Sequence, residues 1–495
     1  MKQEKIKMLT WSDGPTTSTG FGRVAREVLK ALYATGLYDI TSMGINFLGT
    51  TPPKLENPSQ SDIDITNAFT NYELIPAKIG KDGDPLGRNL FLEALEKNDW
   101  DVVWILQDTF LVAPMTNDII RIKKQKGFKI VYYFPIDSED VNPKFLESTR
   151  IADVAVVYND WSKELVETIL GEEISGRLYT IYHGSSAQDF FIIDEEKRKE
   201  IRKEIFGDTV KEDDILIIRS DSNQQRKDWV KTLQIVGRIA QKNKKVKFYA
   251  NTDVKSNDFP LVNLARKYGF KPGENFLYNS VFTRGRNLEQ SVLNQLYNIA
   301  DIGISTTRGE GCGLFHYEMM SIGKPLLIAD NTAHTEAVNA KAAVGILSGR
   351  KLNEKGNQIP NDDLIDLLPN DLGVLRQVCD VDDGETKLQL MIDNLEQAKQ
   401  TYGENARDFM ADKTWAIIGQ KWVELFEKVL KKEDSYIWTP ILSSQDASSF
   451  YQQMQVFSEM VKISIENART EFTKRFGVEA PQINYLGNSN EQQKK

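Results

Sequence analysis

Short apolar runs rich in β-branched and aromatic residues alternate with amphipathic stretches of a dozen residues or more, and the alternation runs twice along the chain. This rhythm is the strongest constraint on the fold. A strand that reads as a nearly unbroken apolar run must be covered on both faces, and helices between successive runs make neighbouring strands parallel. In the first half the strand candidates are 6–11 (IKMLTW), 39–46 (DITSMGIN), 101–107 (DVVWILQ), 129–135 (KIVYYFP), 153–158 (DVAVVY) and 178–184 (LYTIYHG). Helices are expected over 22–36 and 161–171, where apolar positions recur at three and four. The second half repeats the scheme, with strands at 215–220, 246–251, 301–306, 325–330 and 343–348 and helices at 230–241 and 288–300. The fold class read from this pattern is α/β: two doubly wound Rossmann-like domains facing across a cleft, with a helical C-terminal extension.

A chain of 495 residues is long enough for two or three domains at roughly 100–200 residues each. The segment EEKRKEIRKEIFGDTVKEDD (195–214) is dense in both charges and poor in large apolar residues, as suits a surface helix and linker. The division expected is 1–190 for an acceptor-binding domain, 191–213 for the linker, 214–432 for a nucleotide-binding domain, and 433–495 for the extension and its polar tail. Residues 49–88 form a Pro-, Asn-, Asp- and Gly-rich excursion that could border a substrate mouth, and 349–384 read as a second loop-rich insertion.

Charge narrows the partners. Lys plus Arg total 62 against 71 Asp plus Glu, a net −9, which argues against a chain built to coat nucleic acid or anionic membrane. A nucleic-acid acceptor stays open but is not indicated by this balance. The run RIKKQKGFK (121–129) reads as the wet face of a helix or, alternatively, as a grip on an anionic acceptor. Two cysteines, Cys312 and Cys379, supply no disulfide framework. The opening MKQEKIKMLTWSDG has no signal-peptide core, and no window holds 18 consecutive apolar residues, so no membrane insertion is expected and the default location is cytoplasmic.

Ligands of doubly wound sheets bind at the carboxyl ends of the strands. After the first strand comes SDGPTTSTGFGR, with Gly14, Gly20 and Gly22 ahead of a helix; by itself this is equally well a turn. The stretch STTRGEGCGLFHYEMMSIGKPLLIAD (305–330) says more. Its loop carries Glu310, Gly311, Cys312 and Gly313, a helix begins near Leu314, and Glu318 lies one turn inside. Both carboxylates can therefore face one pocket, accepting hydrogen bonds from hydroxyl pairs, while the amides between them meet a phosphate. That combination describes a sugar-nucleotide pocket. Gln107 and Asp108, at the end of strand 101–107, point at the same crevice. The three histidines, His183, His316 and His334, are too scattered for a metal cluster and read as packing or turn residues. Asp62-Ile63-Asp64 reads as a solvated loop, and DVDDGETKLQLM (380–391) lacks the closing Glu of a calcium loop, so no metal is expected.

Glu310 through Glu318 match the Glu-x7-Glu motif of retaining glycosyltransferases of the GT-B fold, and residues 308–338 resemble the family-four version of that block. The similarity covers about 215–340 and, more loosely, the TGFG loop. It implies a nucleoside diphosphate sugar as donor, an acceptor hydroxyl on a glycan, lipid, protein or modified base, and no further cofactor. By this resemblance Glu310 contacts the donor sugar, Glu318 the ribose, and the backbone from Gly311 through Cys312 and Gly313 to Leu314 the sugar or diphosphate, with Gly20 and Gly22 on the donor side. Lys227 takes the position of a lysine directed at the diphosphate. Ser222 stands where the family has an arginine, leaving Arg226 or Arg219 to replace it. Asp137, in YYFPIDSED, falls where many relatives place a sugar-contacting histidine, and is assigned to the acceptor or transferred sugar. Glu310, Asp137 and Lys227 are thus the expected catalytic set. The resemblance assigns no side-chain nucleophile; the leaving phosphate itself takes the acceptor proton. Two other classes share the fold, a sugar-nucleotide epimerase or phosphorylase and a non-catalytic sugar-nucleotide-binding scaffold.

Overall fold

The computed structural model describes residues 4–49, 60–77, 84–255, 259–279, 288–369, 371–431 and 436. The helix expected after residue 435, the polar tail and most of the 49–60 stretch lie outside the described residues.

Seven strands build the first sheet: β1 (Ile6–Asp13), β2 (Tyr38–Ile45), β3 (Glu73–Pro76), β4 (Val102–Leu106), β5 (Lys129–Phe134), β6 (Val154–Val157) and β7 (Leu178–Thr180). Their order is β3-β2-β1-β4-β5-β6-β7, every pair parallel. The second sheet joins β8 (Ile215–Ser220), β9 (Val246–Asn251), β10 (Phe276–Tyr278), β11 (Ile302–Ser305), β12 (Leu326–Asp330) and β13 (Val344–Leu347) in the order β10-β9-β8-β11-β12-β13, again parallel throughout. Every residue of β4 and β5 is buried, as expected of strands covered on both faces. The short strands β3 and β10 escape a periodicity reading because each is only three or four residues long.

The covering helices follow from spacing and caps. Helix Trp229–Lys242 buries Trp229, Leu233, Val236, Ile239 and Ala240 along one face, each large side chain contributing about 1.5–3 kcal/mol. Asp228 caps it by accepting from the Lys231 amide at 3.3 Å. The charged stretch forms helix Glu195–Phe206, capped by Asp194. Residues 349–384 are more ordered than a loop reading suggests. They fold into two antiparallel ribbons, β14 (Arg350–Leu352) with β15 (Gln358–Pro360) and β16 (Ile365–Leu367) with β17 (Leu375–Gln377). The acidic run after Asp380 is the start of helix Val381–Asp393, whose first amides Asp380 caps. Asp62 and Asp64 also sit on a helix, Gln60–Asn71, and not in a loop; Asp64 pairs with Lys30 at 2.5 Å.

Helix Trp415–Leu430, counted with 214–432 on sequence grounds, crosses back and packs on the first sheet. Trp422 meets Trp104 and Tyr133 with ring centroids 5.9 and 4.8 Å apart, and Phe426 meets Tyr38 at 6.1 Å. Close approach of Gly419 to Ala31 lets the helix lie against helix Gly20–Ala34. The returning chain runs beside the outgoing one: Ser185 N donates to Lys413 O at 2.9 Å and Trp415 N to Ser185 O at 3.2 Å. Gly184 permits this, since a Cβ there would stand 2.6 Å from the Trp415 nitrogen.

Candidate active site

Strand order reverses between β1 and β4 in the first sheet and between β8 and β11 in the second, and the loops leaving these four strands meet across a cleft of about 720 Å³. A cleft at two facing switch points, of a size that holds a nucleotide-scale ligand, is where such sheets bind.

From β11 comes the acidic bend. Glu310 and Glu318 both line the cleft, with Gly311, Cys312, Gly313 and Leu314 between them. Helix Leu314–Ser321 starts at Gly313, whose φ of 86° and closeness to His316 Nδ1, 2.2 Å from a built Cβ, exclude a larger residue. Among the described residues the amides of Gly311 through Leu314 donate no internal hydrogen bond, so four N–H groups stand open at a helix start. Thr332 Oγ1 accepts from the Glu310 amide at 2.9 Å and anchors the bend. Asn159 from the first sheet's side donates to Gly311 O at 2.7 Å.

Cations answer the acids. From the loop after β8, Lys227 Nζ donates to Glu310 and stands 2.9 Å from Asp221 Oδ1, while Arg226 lies 3.6 Å from Glu310 and 3.3 Å from Asp137. Burial alone would raise the Glu310 carboxyl, but Lys227 and then Arg226 more than offset it and hold the group well below the usual carboxylate range. Glu318 is different: burial raises its carboxyl despite an ion pair with Arg23, which reaches over from helix Gly20–Ala34. Arg219 is not a ligand cation. It is wholly buried under Trp229, spending its guanidinium on Asp228 O, Thr232, Thr306 and Lys227 O. Of the two arginines considered, Arg226 is the one in the cleft.

The glycine loop divides. Gly20 lines the cleft, but Gly22, expected on the donor side, is packed beneath the turn: its amide caps onto Thr19 Oγ1 at 3.1 Å, and a Cβ would stand 2.0 Å from Thr17 Oγ1. The cation this loop brings to the cleft is Arg23, which pairs with Glu318 and which sequence reasoning passed over; its signal was a lone arginine on the first turn of the helix behind TGFG.

Asp137 lines the cleft but is tied on both sides, to Arg226 and to Arg376 of β17 at 3.0 Å. His183 is buried among Tyr133, Tyr158 and Trp415, and burial lowers its imidazole to about 3. His334 and His316 face each other with ring nitrogens 3.2 Å apart, both pushed down by burial, His334 to about 4. All three are therefore neutral near pH 7. In the basic run 121–129, Arg121 pairs with Glu96 at 2.7 Å, Lys126 with Asp99 at 3.0 Å and buried Lys123 with Asp153 at 2.8 Å, and none of the run is among the residues lining the cleft. No helix among the described residues is long and apolar enough to cross a membrane.

The class defined by two facing parallel sheets with this cleft is the GT-B fold. A glycosyltransferase from Rickettsia africae ESF-5 superposes with a TM-score of 0.61 at 14% identity, over 87% of this chain and 100% of that one. Sucrose-phosphate synthase from Thermosynechococcus elongatus gives 0.61 at 14%, over 86% and 99%. Anabaena HepE, solved in complex with UDP, gives 0.58 at 13%, over 86% and 100%. No family model and no curated protein matches the chain by sequence, so the likeness is one of fold.

Proposed function

We propose that this protein is a retaining, family-four-like glycosyltransferase that moves a sugar from a nucleoside diphosphate sugar to an acceptor hydroxyl. The observation carrying this reading is the pair Glu310 and Glu318 on one cleft wall, separated by a bend whose four amides are unspent and faced by Lys227, Arg226 and Arg23. In this reading Glu318 holds ribose hydroxyls and Glu310 the transferred sugar. The open amides and Lys227 take the diphosphate, releasing Lys227 from Glu310 as the donor enters. As the bond from the anomeric carbon to phosphate breaks, charge grows on the leaving oxygen, where fixed donors in a water-poor cleft act more strongly than water. No metal is called upon, because the cations supply the compensating charge. Structures of the same fold that carry the name glycosyltransferase or hold UDP support the donor class.

The test is incubation with UDP-, GDP- and ADP-linked sugars, read by mass spectrometry for transfer or slow hydrolysis and by NMR for the anomeric configuration of the product. Retained configuration with release of nucleoside diphosphate is expected. Inverted product removes the retaining assignment, and binding without turnover makes the chain a scaffold.

A further inference from the structure

The two acids of the cleft are partnered unequally. Glu310 has two cations, Lys227 and Arg226, both from its own half of the molecule. Glu318 has one among the described residues, Arg23, and it comes from the other half: the first turn of helix Gly20–Ala34, 295 positions away in sequence. Glu318 is likewise the one partner of the Arg23 side chain among the described residues. The Glu318 side chain is 4% exposed and that of Arg23 21%, so the carboxylate is sealed and the guanidinium is the half of the pair that solvent reaches. Both residues line the cleft.

A ribose diol and a guanidinium compete for the same carboxylate. Hydroxyls that replace Arg23 satisfy Glu318 but strand the arginine without an anion. A phosphate that draws Arg23 away satisfies the arginine but leaves a buried carboxylate without a partner. Either exchange alone therefore breaks an ion pair and re-partners only one of its members. Both together leave no charge unmatched, because the planar fork of an arginine suits phosphate as well as carboxylate, and the diol offers two donors to Glu318. Resting on the sugar-transfer reading, in which Glu318 takes the ribose, we propose that Arg23 makes ribose binding conditional on phosphate. It covers Glu318 until a phosphate of the donor draws it off, so the cleft accepts phosphorylated nucleosides and turns free nucleosides away. The ribose and phosphate positions are coupled through this one side chain, and the coupling is equal in both directions.

The test is calorimetric titration of the intact chain with uridine, guanosine and adenosine, with saturating inorganic phosphate or with sodium chloride of equal ionic strength. Inorganic phosphate fills one of the two phosphate positions and leaves room for the 5′-hydroxyl beside it. For the base whose diphosphate binds, phosphate is expected to tighten the nucleoside by at least about fivefold. Arg23→Gln is expected to abolish that gain and to bind the free nucleoside no more weakly than the parent. Its affinity for the nucleoside diphosphate should fall by about ten- to a hundredfold, as fits the loss of one charge-assisted contact. Phosphate that leaves the parent's nucleoside affinity unchanged, or lowers it, overturns the assignment whether or not the variant folds. Equal weakening of nucleoside and diphosphate in Arg23→Gln overturns it too. The ribose reading is checked separately: it stands if the parent prefers the nucleoside diphosphate to its 2′,3′-dideoxy analogue, and it falls, taking the coupling with it, if the two bind alike or neither binds.

Discussion

Lys227 sits between two acids, Glu310 and Asp221, so its removal strips the cleft of the cation both acids share. Lys227→Met is expected to lower kcat by about 10²–10³, the range for losing one preorganised partner of developing charge, with an unchanged far-ultraviolet dichroism spectrum. Gly313 is constrained otherwise. Its backbone lies at φ 86° against His316, so Gly313→Ala should cost roughly 1–3 kcal/mol in urea denaturation and weaken nucleotide binding as the bend shifts. Stability carries a sign of its own at Asp108. Its folded carboxyl titrates near 7, above the unfolded value, so the native state favours the protonated form and loses stability as pH rises from about 4 to 7. Asp108→Asn therefore should melt above the parent at pH 8 and level with it near pH 4, by scanning calorimetry. At this scale the sequence was readable where spacing imposed geometry: Glu310 and Glu318 are a helical turn and a loop apart, and they do share a wall. It was not readable for Arg23 or Arg219, because nothing in a one-dimensional string tells a cation reaching across a cleft from one buried under Trp229.

Among the elements, the ribbon β16–β17 does something its composition hides. Extending from the second sheet's half, it reaches the loop after β5: Arg376 holds Asp137, Leu375 N donates to Asp140 Oδ2 at 2.9 Å, and Ser138 Oγ donates to Leu375 O at 3.2 Å. Arg350 of the neighbouring ribbon pairs with Glu139 at 3.2 Å. Residues 137–140 are thus held by an insertion, and with them the first-sheet wall of the cleft is held to the second-sheet wall. Arg376→Ala should leave the melting temperature nearly unchanged, raise KM about tenfold as one charge-assisted contact is lost, and speed amide exchange at 137–140 in hydrogen-exchange mass spectrometry. Strand positions were legible to within a residue or two at most central strands, since a run such as KIVYYF has nowhere to go but a covered sheet. The two ribbons were not, because three-residue strands with turns at Gly356 and Gly373 leave no period to detect.

At the scale of the whole molecule, helix Trp415–Leu430 ties the end of the second half to the first. Trp422 fills the space between Trp104, Tyr133 and Phe426, and Trp422→Ala should destabilise the protein by about 3–5 kcal/mol in chemical denaturation, a cost centred on the first sheet and not on the second. The doubled rhythm of strands foretold two sheets; it did not foretell that the last helix would return, since its apolar face matches either sheet equally well until aromatic partners are known. The chain thus passes between halves at residues near 185 and again near 414, and these two passages are bonded to each other side by side. A door hung on two adjacent pins swings about one line and resists twisting. Any parting of the two walls is thereby constrained to rotation about that line, and it has to break the Arg376–Asp137 and Asn159–Gly311 contacts that span the cleft.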